Sequence, residues 1–236
     1  MSVDRVMSST LFEPLLRSRG GVTLVGGGEL AAPVLRRALA LAPRLVAADG
    51  GADAALALGF RPERAVGDFD SISDAARAAL GTARLHHVAE QASTDFDKAL
   101  RHVAAQFVLA VGFAGARLDH TLAAFNVLAR HPGRRCLLLT EREVAFLAPR
   151  ALRLRLTPGT RLSLFPMAPV RGEGTGLRWP LAGHDFAPGG MIGTSNETVA
   201  AQVDLRFSAD AMVTILPAEY LEAALTGLGA ATHPGA

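Results

Sequence analysis

The stretch Val22-Thr23-Leu24-Val25-Gly26-Gly27-Gly28, followed by a helical pattern from Leu30 to Leu41, decides the fold. A short, mostly apolar run that passes through glycines into a helix is typical of a buried strand in an α/β sheet. The three glycines occupy the position of a dinucleotide-binding loop. They lack its G-x-G-x-x-G spacing, however, which makes an NAD-dependent oxidoreductase a poor fit.

The same alternation repeats up to about residue 140. Further buried strands are predicted at 45–48, 65–66, 85–88, 107–111 and 136–139. Helices are predicted at 53–58, 73–80, 95–105 and 119–129. Continuous apolar strands separated by helices are typical of a parallel sheet that is covered on both faces. We therefore expect an N-terminal α/β/α domain with a mostly parallel sheet over residues 1–141.

After Thr140 the pattern changes to short, closely spaced strands, predicted at 143–147, 152–156, 161–165, 203–207 and 212–216. The segment Leu152-Arg153-Leu154-Arg155-Leu156 alternates strictly, as a half-exposed antiparallel strand does. These features predict a C-terminal all-β sandwich domain over residues 142–236. The tail from Thr226 is rich in Gly and Ala, and we expect it to be loosely held.

The composition excludes several classes of protein. Half of the 236 residues are hydrophobic and 19% are charged, which excludes a disordered chain. The formal net charge of +2 argues against a nucleic-acid or anionic-membrane surface. The first twenty residues lack the apolar core of a signal peptide, and no charge-free stretch is long enough to cross a bilayer. The lone Cys136 lies in an apolar run and indicates a reducing compartment, so we expect a cytoplasmic protein.

Acidic residues follow the ends of several predicted strands: Asp49, Asp68, Asp70, Asp95 and Asp119. The carboxyl ends of parallel strands form a ligand crevice, where these acids can converge. In an extended Gly67-Asp68-Phe69-Asp70-Ser71 segment, Asp68 and Asp70 would face the same side. Because Mg²⁺ prefers carboxylates together with phosphate oxygens and water, the pattern predicts a Mg²⁺ and phosphate site. The alternative is a solvated acidic turn in which Asp70 or Ser71 caps the next helix.

The segment Ser93-Thr94-Asp95-Phe96-Asp97-Lys98 opens a predicted helix and contains the only lysine of the chain. The N-terminus of a helix attracts phosphate, and Asp95 and Lys98 could add a metal ligand and a positive charge. The alternative is a purely structural capping box formed by Thr94 and Asp97.

The segment GFAGARLDH, residues 112–120, follows the strand that ends at Val111. Its glycines allow backbone N–H groups to approach a phosphate, and Arg117 can bind one through two hydrogen bonds. Alternatively, Asp119 caps a helix and His120 is an ordinary surface residue.

Two candidates for ligand contact lie in the second half. Trp179 is the only tryptophan, and composition alone favours a core or edge aromatic. The segment Gly193-Thr194-Ser195-Asn196-Glu197 is either a polar loop that hydrogen-bonds a heteroaromatic ligand or a simple hairpin turn.

Taken in order, these segments resemble the thiamine pyrophosphokinase family. The matching stretches are 48–52, 67–72, 94–100, 115–121, 164–166, 176–181 and 193–197. The resemblance extends from about Val22 to Leu216. It implies an ATP-binding α/β domain, a thiamine-binding β-sandwich and a homodimer with shared active sites. It also implies Mg²⁺-dependent transfer of pyrophosphate from ATP to the hydroxyethyl group of thiamine, with release of AMP.

The resemblance also implies roles for individual residues. Asp68, Asp70 and Asp95 would bind metal and, with Asp119, form the catalytic acids. The implied ATP and phosphate contacts are Asp49, Gly50, Gly51, Gln91, Lys98, Arg117, Asp119 and His120. The implied thiamine contacts are Thr194, Ser195, Asn196 and Trp179. One departure from the family pattern is Asp53, where the family often has Asn.

Two other functions remain open at the level of sequence. A nucleotide-sugar transferase or a phosphohydrolase would use the same pair of acids and would turn over without thiamine. A thiamine- or nucleotide-binding sensor would bind its ligand without releasing AMP.

Overall fold

The computed structural model describes residues 13–115 and 117–230. Within these residues, ten strands form one mixed sheet, four form a second sheet and two form a short parallel pair. The strands are β1 Leu16–Arg17, β2 Gly21–Val25, β3 Arg44–Ala48, β4 Arg64–Gly67, β5 Leu85–His87, β6 Val103–Ala104, β7 Phe107–Val111, β8 Cys136–Leu139, β9 Glu143–Ala148, β10 Ala151–Arg155, β11 Arg161–Pro166, β12 Val170–Thr175, β13 Asp185–Phe186, β14 Gly193–Glu197, β15 Gln202–Phe207 and β16 Met212–Pro217. The helices are α1 Ala32–Leu41, α2 Gly51–Ala57, α3 Asp74–Leu80, α4 Asp95–Arg101, α5 Leu118–Arg130 and α6 Leu221–Gly227.

The first half of the large sheet is parallel and runs in the order β8-β7-β2-β3-β4-β5. Successive side chains of a strand point to opposite faces, so a strand covered on both faces supplies two cores. In β7, Phe107 and Leu109 belong to one core and Val108 belongs to the other. The predicted α/β arrangement is confirmed, and the strands at 107–111 and 136–139 match the prediction.

One predicted helix is shorter than expected. The helix expected at 95–105 ends at Arg101, and Val103–Ala104 instead forms β6, which pairs in parallel with β1. The guanidinium of Arg134 donates hydrogen bonds to the carbonyl oxygens of Leu100 and Val103. These bonds satisfy backbone acceptors that the end of the helix leaves free.

The second half is rich in antiparallel strands. From β8 the large sheet continues through β9, β16, β11 and β14, while β10-β15-β12-β13 form the second sheet. In β10, Leu152 and Leu154 are buried and Arg153 is exposed, which confirms the predicted alternation. The large sheet crosses residue 142 without a break, and its strand direction changes there from parallel to antiparallel. A division into two domains at this point stays a prediction.

The C-terminal segment is better packed than predicted. Helix α6 packs on β10 and buries Leu221, Ala224 and Leu225, so the second half is not all-β. The expected loose tail from Thr226 is wrong as far as Ala230, because Leu228 and Ala230 are both buried. The burial of apolar side chains favours a fixed position for this segment. The rest of the predicted tail lies outside the described residues.

Cys136 is buried in β8, as its apolar neighbours predict. Burial raises the pKa of its thiol to about 12, because the surroundings disfavour the thiolate. None of the helices in the described part of the chain combines the length and apolar character that crossing a membrane requires.

Candidate active site

Three aspartates meet at the carboxyl edge of the parallel sheet. Asp49 follows β3, Asp68 follows β4 and Asp95 opens α4. One carboxylate oxygen of each lies within 4.8 Å of the others, which forms what we call the three-acid cluster. Parallel β3 and β4 end at the same edge, so residues far apart in sequence reach one place.

Two residues at this edge adopt backbone conformations that are rare for residues other than glycine. Asp49 has φ +43° and Phe69 has φ +63°. Left-handed conformations cost roughly 1–2 kcal/mol per residue and often occur at functional sites. Gly67 allows the close approach, because a Cβ there would lie 2.8 Å from the Cβ of Asp49.

Lys98 provides the positive charge of the site. Its side chain is 2% exposed, and its ammonium donates hydrogen bonds to Asp68 Oδ2 at 2.9 Å and Asp95 Oδ1 at 3.0 Å. Burial alone would lower the pKa of Lys98, but its bonds to the two carboxylates outweigh burial and raise that pKa. Lys98 therefore stays charged and holds two of the acids in fixed orientations. Gln91 Nε2 also donates to Asp68 Oδ2, at 3.0 Å.

Asp49 has the most unusual environment of the three acids. It is 2% exposed, and among the described residues neither of its carboxylate oxygens has a hydrogen-bond partner; Asp68 Oδ1 is likewise buried and unpartnered. Burial first, and then the charge of Asp95, raises the pKa of Asp49 to about 6, although the Ser71 backbone partly opposes the shift. The buried carboxylate oxygens of Asp49 and Asp68 that lack donors, together with the adjacent carboxylate of Asp95, fit a divalent cation that prefers oxygen ligands.

We expect the affinity for a divalent cation to depend on pH because of Asp49. With a pKa near 6 against 3.8 for a free carboxyl, the folded chain holds this proton more tightly than the unfolded chain. Protonation therefore favours the fold at low pH, and this contribution is lost as the pH rises through 6. A cation must displace the proton, so Mn²⁺ affinity should fall about tenfold per pH unit below 6.

This pH dependence can be measured by titrating the protein with Mn²⁺ and following the paramagnetic signal of free Mn²⁺ between pH 5 and 8. Asp49→Asn should flatten the dependence, whereas Asp74→Asn, an exposed carboxylate in α3, should leave it unchanged. A slope that survives in Asp49→Asn would assign the proton to another group.

Asp70 does not join the three-acid cluster. The prediction that Asp68 and Asp70 share one side assumed an extended chain, and the positive φ of Phe69 turns the chain instead. Asp70 is exposed and accepts a hydrogen bond from Ser71 Oγ at 2.7 Å. It still lies close enough for its charge to raise the pKa of Asp49. The side chain of Phe69 is buried.

The cap of helix α3 is Ser73 rather than Asp70 or Ser71. Ser73 Oγ accepts a hydrogen bond from the backbone N–H of Ala76 at 3.1 Å. Asp53 accepts two hydrogen bonds from Ser73, one from the backbone N–H at 3.0 Å and one from the hydroxyl. The position that departs from the family pattern therefore anchors the end of the loop that carries Asp68.

The expected capping box at α4 forms only in part. Thr94 Oγ1 accepts a hydrogen bond from the backbone N–H of Asp97 at 3.3 Å. The Asp97 carboxylate turns away and is 1% exposed; it contacts Arg130 at 3.1 Å and His131 at 2.5 Å. Sequence reasoning missed this buried ion pair, because Arg130 and His131 lie more than thirty residues away.

The residues predicted from the 112–120 segment lie on the surface. Arg117 and Asp119 form an ion pair at 2.6 Å, and both side chains are about two-thirds exposed. Arg117 occupies the N-cap position of α5, and Asp119 lies in its first turn. Asp119 is therefore not the helix cap. Asp119 is not part of the three-acid cluster, and His120 is exposed.

The predicted thiamine contacts surround an edge strand. Residues 193–197 form β14 at the end of the large sheet, so the segment is neither of the two predicted alternatives, a polar loop or a hairpin turn. Asn196 is buried, and its amide binds the backbone of Trp179 through two hydrogen bonds, of 2.8 and 3.2 Å. Trp179 is 53% exposed, so it is not a core residue, and the guanidinium of Arg178 lies 5.8 Å from its ring centroid. Thr194 and Ser195 are exposed as well.

The chain matches two models of one protein family. Residues 35–138 match the model described as "Thiamin pyrophosphokinase, catalytic domain". Residues 151–213 match the model described as "Thiamin pyrophosphokinase, vitamin B1 binding domain". Together the two matches cover most of the chain.

Relatives and solved structures agree with these matches. Thiamine pyrophosphokinase 1 of Arabidopsis thaliana is 28% identical over 175 residues, which cover 66% of each chain; the match thus spans just under two thirds of that relative. The thiamin pyrophosphokinase of Candida albicans superposes with a TM-score of 0.72 at 16% identity and covers 84% of this chain and 89% of its own. The Geobacillus thermodenitrificans structure gives a TM-score of 0.67 at 24% identity, with 84% and 96% covered. The two structures share the fold of this chain.

Proposed function

The chain belongs to the thiamine pyrophosphokinase family, and from this premise we propose that it transfers the pyrophosphoryl group of ATP to the hydroxyethyl oxygen of thiamine. The products are thiamine diphosphate and AMP. The observation that carries the proposal is the three-acid cluster with the buried ammonium of Lys98 at its edge. Carboxylates and one fixed positive charge are what the binding of a cation and a triphosphate requires.

We propose Mg²⁺ as the resident cation. Asp49, Asp68 and Asp95 would hold it, because their clustered carboxylates, with unpartnered oxygens on Asp49 and Asp68, supply the hard ligands that it prefers. When bound, Mg²⁺ neutralises charge on the phosphate oxygens. Pyrophosphoryl transfer needs little else from a protein besides positioning and neutralised charge.

The residues around the cluster have separate roles in this proposal. Lys98 holds Asp68 and Asp95 in place and adds a positive charge beside the phosphates. Gln91 donates a second hydrogen bond to Asp68 Oδ2 and helps to fix its orientation. In this proposal Asp70, which is exposed and outside the cluster, or Asp95 accepts the proton of the attacking hydroxyl. Arg117, which pairs with the exposed Asp119, supplies a guanidinium that phosphate can bind.

The proposal places thiamine beside Trp179, Thr194 and Ser195. Thiamine carries a permanent positive charge on its thiazolium ring, and an exposed indole face favours a cation by roughly 0.5–2 kcal/mol. The backbone hydrogen bonds of Asn196 hold Trp179 in position. Asn196 therefore positions Trp179, while Thr194 and Ser195 offer exposed hydroxyl groups.

A homodimer is part of the same proposal. Leu118 and Leu122 lie one turn apart on α5 and are 71% and 62% exposed. Apolar side chains at this spacing form a stripe that a second copy of the chain can cover. We propose a cytoplasmic location as well, which the buried reduced thiol of Cys136 supports.

Binding of thiamine should quench the fluorescence of Trp179, which is the only tryptophan. The expected result is a saturable decrease with thiamine concentration, because the cationic ring stacks on an exposed indole. Ser195→Ala should weaken the binding, whereas Ser208→Ala, which changes an exposed hydroxyl just after β15, should not. A fluorescence that thiamine does not change would contradict the placement of the site.

The function itself is tested by the dependence of ATP consumption on thiamine. We expect none without thiamine and steady consumption with it. ATP hydrolysis without thiamine would identify a phosphohydrolase instead. Quenching of Trp179 without any consumption of ATP would identify a sensor.

A further inference from the structure

A hollow of about 820 Å³ opens where β2, β7 and β8 end. Its walls include the apolar side chains of Leu30, Val34 and Leu139, and its rim carries Glu29 and Glu141. This volume is typical of a pocket for a small organic molecule, and the mixture of apolar and charged lining residues suits a ligand that is itself part apolar and part polar. None of the three acids of the cluster, nor Lys98, lines the hollow, whereas Gly112 and Gly115 of the 112–120 segment do.

The loop of Gly26, Gly27 and Gly28 separates the hollow from the acids. A Cβ on Gly27 would lie 3.3 Å from the carbonyl carbon of Gly50, the neighbour of Asp49. A Cβ on Gly28 would lie 2.7 Å from the carbonyl oxygen of Gly112, which lines the hollow. At Gly27 and Gly28 the nearest neighbours are backbone atoms, and a phosphate chain can cross a loop that has no side chains of its own.

Glu29 follows this loop directly. It is exposed and, among the described residues, has no hydrogen bond or ion pair. Its Oε2 lies 3.0 Å from the place that a Cβ on Gly115 would occupy. The carboxylate therefore packs against the backbone of Gly115. Glu143, another acid that lines the hollow, is already paired with Arg161 at 2.6 Å. Glu29 thus keeps two free acceptor oxygens beside the loop that the phosphates would cross.

We propose that the hollow takes the nucleoside part of ATP and that Glu29 accepts hydrogen bonds from its ribose hydroxyls. This inference rests on the proposed use of ATP. The phosphates at the three-acid cluster and the glycine loop put the ribose next to Glu29, and the base against Leu30, Val34 and Leu139. Two hydroxyl donors match the two oxygens of one carboxylate. Glu29 is therefore the residue that makes the site prefer ribonucleotides to nucleotides without these hydroxyls.

Calorimetric titration in Mg²⁺ buffer without thiamine tests this role. The dissociation constants of ATP and 2′,3′-dideoxy-ATP are measured for the unmodified protein, Glu29→Ala and Glu141→Ala. Loss of a negative charge from the protein changes the affinity for ATP and for the dideoxy analogue to the same extent. The ratio of their two dissociation constants therefore reports only the contacts with the ribose hydroxyls. Glu141→Ala is the matched control, because it removes the same group from another part of the rim of the hollow.

The unmodified protein should bind ATP at least about tenfold more tightly than the dideoxy analogue, as charge-assisted hydrogen bonds imply. Glu29→Ala should bring the ratio close to one, and Glu141→Ala should preserve it. A ratio near one in the unmodified protein, or a ratio that survives in Glu29→Ala, would overturn the role of Glu29 and leave the proposed function standing. Failure of the unmodified protein to bind ATP would overturn both.

Discussion

Asp68→Asn should lower the rate of AMP formation at least about a thousandfold, which corresponds to roughly 4 kcal/mol of lost transition-state stabilisation. The substitution keeps the size of the side chain and removes its charge. Asp68 belongs to the three-acid cluster and also binds the ammonium of Lys98 at 2.9 Å, so the change weakens both the cation site and the anchoring of the ammonium. The hydrogen bond from Lys98 is also the main reason that the pKa of Asp68 is lowered.

The fold should survive Asp68→Asn, because Lys98 keeps its partner Asp95. Circular dichroism and the urea midpoint check this point. Asp74→Asn serves as the control for the loss of one carboxylate near the same loop, and its rate should be unchanged. If Asp68→Asn retained a rate within tenfold of the original, the three-acid cluster would not be the site of chemistry.

Asp97→Ala should lower the free energy of unfolding by about 3 kcal/mol, the lower end of the range for a broken buried ion pair. The Asp97 carboxylate is 1% exposed and binds Arg130 and His131, which join the end of α5 to α4. The value lies at the lower end because the Arg130 side chain is 53% exposed and reaches water after the substitution.

Urea denaturation measures this loss as a lower midpoint at an unchanged slope. Asp204→Ala is the matched control, because Asp204 pairs with Arg153 at 2.6 Å on the surface and should change the midpoint little. Equal effects of the two substitutions would show that burial of Asp97 adds nothing to stability.

The sequence predicted the features that local patterns determine. The strand at 107–111 was found because five apolar residues in a row indicate a strand buried on both faces. Helix α6 was missed, since the Gly and Ala residues that follow it suggested a loose tail, whereas contacts with β10 stabilise it. The early end of α4 could not be predicted either, because it depends on Arg134 and on the pairing of β6 with β1, both set by tertiary structure.

In the candidate site, too, local patterns predict some features, whereas others depend on tertiary contacts. The meeting of Asp49, Asp68 and Asp95 could be predicted, because parallel strands end at one edge. The position of Asp70 could not, since it depends on the left-handed turn at Phe69, where a glycine would ordinarily be expected. The contact between Asp53 and Ser73 joins two helices, and no local pattern indicates it.

In the proposed reaction, the three-acid cluster and Lys98 direct the attack of thiamine to the β-phosphorus of ATP. ³¹P NMR of a mixture that contains the protein, thiamine, ATP and Mg²⁺, with all products quantified, identifies the phosphorus that is attacked. AMP and thiamine diphosphate are expected in equal amounts, with no ADP. Formation of ADP with thiamine monophosphate would contradict this proposal, because the attack would then have fallen on the γ-phosphorus.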